Sequence, residues 1–214
     1  KVKLSPDNQN YSWQAGYQPT IESVGCFSHI HEWTMGGLGM MPTNGKLETF
    51  VGDEKDPDSG YRSRIDKLTE EAPLGYYKVK LTDYDILAEL TATTHCGFQR
   101  YTFPSDRDSS RVLIDLQIPT EYNYVLEDIE IKKVSDTRIE GYSHQLSKYV
   151  WRRDSDQEYT VHFVIEFDQP IASMGGWLDD KHIETEHLKA SDLKYRKICG
   201  SPNFLPQIFT MKAL

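Results

Sequence analysis

Short runs of alternating apolar and polar residues dominate this chain and limit what it can fold into. Tyr76–Leu81 alternates, a Thr-Asp-Tyr-Asp turn follows, and Ile86–Thr94 returns. Phe98–Phe103 and Tyr159–Phe167 repeat the pattern. Period-2 alternation rich in β-branched and aromatic residues, bounded by Gly, Pro and Asp, is typical of antiparallel strands. With almost no amphipathic helical stretch, the sequence predicts an all-β fold, a large, many-stranded antiparallel β-sandwich.

The length of the chain bounds its domain organisation. At 214 residues it suits one large β-sandwich, so residues 1–214 are predicted to form a single domain. The one candidate helix is Glu184–Lys197. The chain opens at Lys1 within an apparent strand and closes on the strand-like run Phe209–Leu214. We therefore expect a piece of a longer protein, truncated at both ends.

Charge and composition exclude some partners. The net charge of −9 argues against a nucleic-acid partner, which would require clustered Lys and Arg. No run approaches the roughly 20 apolar residues of a membrane helix, so no membrane span is predicted. The three cysteines, Cys26, Cys96 and Cys199, fit no zinc spacing and are an odd number. They are predicted to be small buried residues.

The densest cluster of chemically functional side chains lies in residues 25–39. His29, His31, Glu32 and Trp33 fall within five residues, and three glycines follow. On an extended strand the histidines and the tryptophan would share one face. An indole stacks on a sugar ring, while imidazole and carboxylate groups hydrogen-bond its hydroxyls. The glycines would let a sugar or a second domain approach the backbone closely.

Two other interpretations of this segment stay open. The histidines can be structural groups, hydrogen-bonded in a buried corner. Alternatively, His29 and His31, two residues apart on a strand, can bind a divalent metal as in cupin-type barrels, although Glu32 would then point away. A smaller candidate site is Gly141–Tyr142, which follows a strand in what reads as a Gly-bearing turn.

Several motifs occur in an order that matches a known family. They are Leu4-Ser-Pro-Asp7, Gly25-x-x-Ser28-His-x-His31 with a trailing Gly-x-Gly, Ala72–Val79, Glu89–Pro104, Gly141–Tyr142 and Val161–Phe167. Together they resemble the amino-terminal domain of glycoside hydrolase family 92, the calcium-dependent exo-α-mannosidases. The resemblance spans most of the chain, from residue 2 to residue 170.

The sequence also departs from the family pattern. The family's N-T-F-P-G-A…P-F-G start is missing, which fits truncation. His95-Cys96 stands where Arg is frequent, and Gln99 where His is frequent. Glu32–Gly39 replaces the common L-S-G-x-G continuation, which leaves the linkage preference in question.

The resemblance implies a two-part enzyme, in which this β-sandwich packs on a carboxy-terminal (α/α)6 barrel. The barrel would carry the acid, the base and the calcium site of an inverting α-mannosidase acting on N-glycan-type mannosides. This fragment would then hold no catalytic residue and no metal, and would be inactive alone. Its partners would be a mannose-containing glycan and the catalytic domain, and its location extracellular or periplasmic. The residues expected to bind substrate are His29, His31, Glu32, Trp33, Gly141 and Tyr142. The alternative is a free-standing, lectin-like carbohydrate-binding module.

Overall fold

The computed structural model describes residues 2–8, 16–106, 110–122, 124–148, 156–178, 181–191 and 208–213. Within these ranges the regular elements are sixteen strands, and every strand pair is antiparallel. The described part of the chain has no helix that is long and apolar enough to cross a membrane. The predicted all-β antiparallel fold is confirmed.

The strands form three sheets. The largest has seven strands, in the order β1 (Ser5–Asp7), β3 (Cys26–His31), β4 (Gly36–Thr43), β9 (Arg111–Asp115), β16 (Ile208–Ala213), β13 (Ile171–Leu178) and β14 (Lys181–Glu184). A five-stranded sheet has the order β2 (Ser23–Val24), β5 (Ser63–Glu71), β6 (Tyr76–Leu81), β7 (Ile86–Ala92) and β8 (Gly97–Thr102). A four-stranded sheet has the order β12 (Gln157–Glu166), β11 (Arg138–Ser147), β10 (Val125–Lys133) and β15 (His187–Ala190).

Alternation along the strands decides which side chains enter the core. In β12, Val161, Phe163 and Ile165 are buried, whereas His162 and Val164 are exposed. Successive strand residues point to opposite faces, so this strand buries one face and leaves the other to solvent. Burial of each large apolar side chain stabilises the fold by about 1.5–3 kcal/mol.

Two apolar clusters join the smaller sheets to the large one. The first packs Met40 and Ile114 of the seven-stranded sheet with residues of the four-stranded sheet such as Ile129. The second joins Phe27 to residues of the five-stranded sheet such as Val79. The ring of Tyr101, on β8, packs against both clusters. The seven-stranded sheet is therefore the shared layer on which the two smaller sheets rest.

The candidate helix at Glu184–Lys197 is wrong over its described part. Strand β14 ends at Glu184, and β15 spans His187–Ala190 and pairs with β10. Leu188 and Ala190 are buried while their neighbours are exposed, which is the alternation of a strand. Residues 192–197 lie outside the described residues.

The cysteines differ from one another. Cys26 is a buried free thiol, as predicted, but Cys96 is exposed in the turn between β7 and β8, so its predicted burial is wrong. Cys199 lies outside the described residues.

Candidate functional site

The candidate segment folds as the end of one strand, a tight turn and the start of the next. Strand β3 ends at His31, and the amide of Glu32 donates to the carbonyl of Met35 at 2.8 Å. Strand β4 then begins at Gly36. The expectation that Trp33 continues the strand, on the same face as the histidines, is wrong, because the chain reverses directly after His31.

His31 forms a buried pair with Asp7. Nδ1 of His31 lies 2.5 Å from Oδ2 of Asp7, and the two side chains are 2% and 0% exposed. Nε2 of His31 is buried too and has no hydrogen-bond partner among the described residues. Because a buried carboxylate needs a partner to offset its lost hydration, this contact ties β1 to the end of β3.

His29 is held by other groups. Its Nδ1 lies 2.7 Å from the carbonyl oxygen of Leu38, and its Nε2 lies 3.1 Å from Nε2 of Gln99 on β8. Burial lowers the pKa of His29 below its ordinary value, and the hydrogen bond to Leu38 opposes that shift only in part. A neutral ring donates from one nitrogen and accepts at the other, which suits a carbonyl on one side and an amide NH2 on the other.

Glu32 and Trp33 face solvent above these buried groups. The Trp33 residue is 41% exposed, and the Glu32 side chain is 54% exposed. Nζ of Lys3 lies 3.3 Å from a carboxylate oxygen of Glu32, and it also donates to the carbonyl of His31 at 3.0 Å. Consecutive residues of the turn therefore carry an exposed carboxylate and an exposed indole.

Contacts from distant parts of the chain fix the turn. The amide of Tyr122 donates to the carbonyl of Trp33 at 3.1 Å. The Ser147 hydroxyl, at the end of β11, donates to the carbonyl of Thr34 at 2.7 Å. The hydroxyl of Tyr159, on β12, lies 3.3 Å from that of Thr34. The backbone beneath the indole is thus anchored on several sides.

The glycines that follow the turn serve internal packing. A Cβ atom on Gly36 would lie 2.8 Å from the Ile118 side chain, and one on Gly39 would lie 2.6 Å from Sγ of Cys26. Gly37 has a φ of +135°, which side-chain-bearing residues rarely adopt. All three are buried in β4. The groups that approach these glycines closely belong to this chain itself, contrary to the expected approach of a sugar or second domain.

The sequence had indicated that Gly141 and Tyr142 lie in a turn, and this prediction is wrong. Both are in the middle of β11, and Tyr142 pairs with Glu130 on one side and His162 on the other. A Cβ on Gly141 would lie 2.5 Å from the Phe163 ring, so this glycine makes room for a core side chain. The signal was misread because a glycine required by packing looks the same in sequence as one required by a turn.

The structure also separates these two residues from the turn. Ser147, which contacts Thr34, lies five positions beyond Tyr142 on the same strand, a distance of about 17 Å at 3.4 Å per residue. The Tyr142 and His162 rings lie 5.7 Å apart, centroid to centroid. A role for Gly141 and Tyr142 in substrate binding stays a prediction, at a location apart from Trp33.

The metal interpretation finds no support in the geometry. In the ranges the structure describes, no three His, Cys, Asp or Glu side chains are grouped so as to hold an ion. The Nδ1 atoms of His29 and His31 have separate partners, a carbonyl and a carboxylate. The two rings are therefore held separately and do not converge on one ion, as the cupin-type interpretation would require.

Sequence reasoning missed Asp7 and Lys3 as parts of this site. Asp7 is 24 positions from His31, and Lys3 is 29 from Glu32. Their positions depend on β1 pairing with β3, which no local pattern reveals. The only sequence signal was the Leu4–Asp7 motif, which carried the family resemblance without a role for its aspartate.

The fold and the site together define an all-β domain with a solvent-facing indole and carboxylate set over a buried His–Asp pair. Residues 1–200 match the sequence model of the glycosyl hydrolase family 92 N-terminal domain. Because this match covers far more than half of the chain, the chain belongs to that family. No curated protein matches it.

Solved structures have the same fold. One is the family GH92 alpha-mannosidase BT3965 from Bacteroides thetaiotaomicron, with a TM-score of 0.73 and 23% sequence identity over 99% of this chain. The same enzyme in complex with mannoimidazole gives the same TM-score and identity. The chain spans 29% and 28% of the lengths of these two structures.

Proposed function

We propose that this chain is the amino-terminal domain of an exported, inverting α-mannosidase that removes mannose from N-glycan-type mannosides. The domain supplies substrate-binding groups to a cleft shared with a catalytic (α/α)6 barrel in the rest of the parent chain. Family membership supports the parent activity. The observation that carries the binding role is the exposure of Glu32 and Trp33 on consecutive residues of the turn.

In this proposal Glu32 and Trp33 contact the sugar. His29 and His31 hold the turn that carries those two residues in position. The indole face stacks on the apolar face of a mannose ring, and the carboxylate of Glu32 accepts hydrogen bonds from its hydroxyls. The Asp7–His31 pair fixes the end of β3, and the contacts of His29 with Leu38 and Gln99 fix its middle. These contacts hold the turn in one conformation before the sugar binds, so binding costs less conformational entropy.

The carboxylates support a binding role over a catalytic one. Inversion requires an acid and a base about 6.5–9.5 Å apart across the sugar, with room for water. The two buried aspartates already have structural partners. Asp7 contacts His31, and Asp115 accepts hydrogen bonds from the Tyr61 hydroxyl and the Gln117 amide. We assign the acid and the base to the barrel, as the family resemblance implies.

NMR of the released sugar tests the reaction. The full parent enzyme should release β-mannose first from an α-mannoside, whereas the 214-residue chain should release none. First release of α-mannose, or hydrolysis by this chain alone, would contradict the proposal. Chelation of calcium should abolish hydrolysis by the parent but leave the thermal unfolding midpoint of this chain unchanged. A calcium-dependent midpoint in this chain would place the ion here instead.

A further inference from the structure

A long groove separates the two smaller sheets. It has a volume of about 1090 Å³ and lies between β8 and β12. Leu38, Met40 and Val112, from one face of the seven-stranded sheet, line its floor. Tyr101 lines the β8 side and Phe163 the β12 side. The groove is separate from the exposed face of Trp33, although His29 reaches its lining.

Both strands that border this groove are sheet edges. Among the described strands, β8 pairs only with β7 and β12 pairs only with β11. In an antiparallel pair, alternate N–H and C=O groups point away from the partner strand. Each border of the groove therefore offers a row of backbone donors and acceptors, the usual template for adding a strand.

The two edges run in the same direction. Gly97 lies against His29 and the Tyr101 ring lies 6.1 Å from that of Phe27, so β8 runs antiparallel to β3. On the other side, Ser147 contacts Thr34 and Gln145 contacts Gly36, so β11 runs antiparallel to β4 and hence parallel to β3.

Strand β12 is antiparallel to β11, and therefore parallel to β8. One strand placed between them can pair antiparallel with both.

Residues of both border strands line the groove along most of their length, Gly97, Gln99, Arg100 and Tyr101 on β8 and residues 161–166 on β12. A segment of about six residues, the length of β8, would span this shared part of the two edges.

The borders also carry exposed apolar groups. Phe98 on β8 is 57% exposed and Val164 on β12 is 55% exposed. Both lie on the outer faces of their strands, since Gly97, Gln99, Phe163 and Ile165 point inward. Outward side chains of an added strand would lie between Phe98 and Val164 and cover part of both, as cross-strand neighbours do.

We propose that an extended strand from the remainder of the parent chain fills this groove, antiparallel to both β8 and β12. It would join the five-stranded and four-stranded sheets into one ten-stranded layer over the seven-stranded sheet. The strand alternates apolar side chains toward Met40 and Val112 with polar ones toward solvent. This inference rests on the proposed function, because it requires a longer parent enzyme, such as the solved relatives have.

Residue-resolved amide hydrogen exchange on the full parent enzyme tests the inference. The amides of β8 and β12 that point away from β7 and β11 should exchange about tenfold or more slowly than the outward amides of the edge strand β15. Amides already paired with β7 and β11 serve as the internal reference for a folded ladder. Fast exchange of the outward amides in both strands would overturn the proposal.

Two further measurements separate other occupants. Protection that rises with enzyme concentration would indicate a second copy in the groove, and protection that requires added mannoside would indicate a sugar; either result overturns the proposal. Mannoside hydrolysis is assayed on the same sample. An active enzyme with unprotected edges therefore refutes the strand alone, whereas an inactive enzyme with protected edges refutes the proposed function alone.

Discussion

The carboxylate of Asp7 lies 2.5 Å from Nδ1 of His31, and neither side chain reaches solvent. This contact joins the short strand β1 to the end of β3, just before the turn that carries Trp33. The exposed part of the candidate site is therefore supported by a buried polar pair, and the two parts can be tested separately.

Asp7→Ala should destabilise the domain. The change leaves the buried His31 ring without its partner, at a cost of about 2–4 kcal/mol in the free energy of unfolding. Urea unfolding of the 214-residue chain measures this loss. Lys3→Ala, which removes only a surface partner of Glu32, should change the same free energy by about 0.5 kcal/mol or less. Equal losses of unfolding free energy in the two variants would show that the buried pair stabilises the fold no more than the surface ion pair does.

Gly141→Ala should destabilise the domain through packing. The added methyl would meet the Phe163 ring and the carbonyl of Glu130, each at 2.5 Å, and overpacking of this kind costs about 1–3 kcal/mol. Tyr142→Phe removes a hydroxyl from the outward face and should leave the free energy of unfolding within about 0.5 kcal/mol. If Gly141→Ala is neutral in stability yet weakens sugar binding by the parent, a contact role for Gly141 is favoured instead.

Glu89 should titrate far below an ordinary glutamate. Two hydrogen bonds from Arg100, at 2.6 Å each, and one from the Tyr76 hydroxyl lower its pKa from 4.5 to about 2. Carbon-detected NMR of the Glu89 carboxyl should give a midpoint clearly below 4.5, with solvent screening at the exposed Arg100 limiting the shift. In Arg100→Gln the midpoint should move back toward 4.5, and an unmoved midpoint would rule out Arg100 as the main cause.

The same pair predicts the direction of a pH effect on stability. Because the pKa of Glu89 is lower in the folded chain than in the unfolded one, its contribution is complete above about pH 4.5. That contribution is lost as the pH falls toward about 2. Arg100 is exposed, so solvent screening keeps this contribution small. The difference in unfolding free energy between the chain and Glu89→Gln should therefore shrink across this range.

Local alternation of apolar and polar residues made the strands predictable from sequence, but it did not reveal which strands pair. Tyr76–Leu81 is a strand with the predicted bounds, and Ile86–Thr94 differs from β7 only at its end. Period 2 is visible in sequence because each strand buries one face. The Asp7–His31 contact depends on which strands become neighbours, which is a property of the whole chain.

The sequence predicted which residues make up the candidate site, but not how they are arranged. The sequence placed His29, His31, Glu32 and Trp33 in one segment, but their division into buried and exposed pairs follows from the chain reversal after His31. Gly36 and Gly39 correctly indicated that other groups approach the backbone closely. The sequence did not show that these groups are the side chains of Ile118 and Cys26. Such contacts join residues too far apart in sequence for spacing to reveal them.

The substrate-binding role of the turn is tested most directly by steady-state hydrolysis of an α-mannoside by the full parent enzyme, with and without Trp33→Ala. Phe50→Ala is the matched control, since Phe50 is an aromatic residue of similar exposure outside the segment. Loss of indole stacking should raise KM about tenfold, or about 1.4 kcal/mol, while kcat changes little. An unchanged KM in Trp33→Ala, or an equal rise in Phe50→Ala, would contradict substrate binding by Trp33.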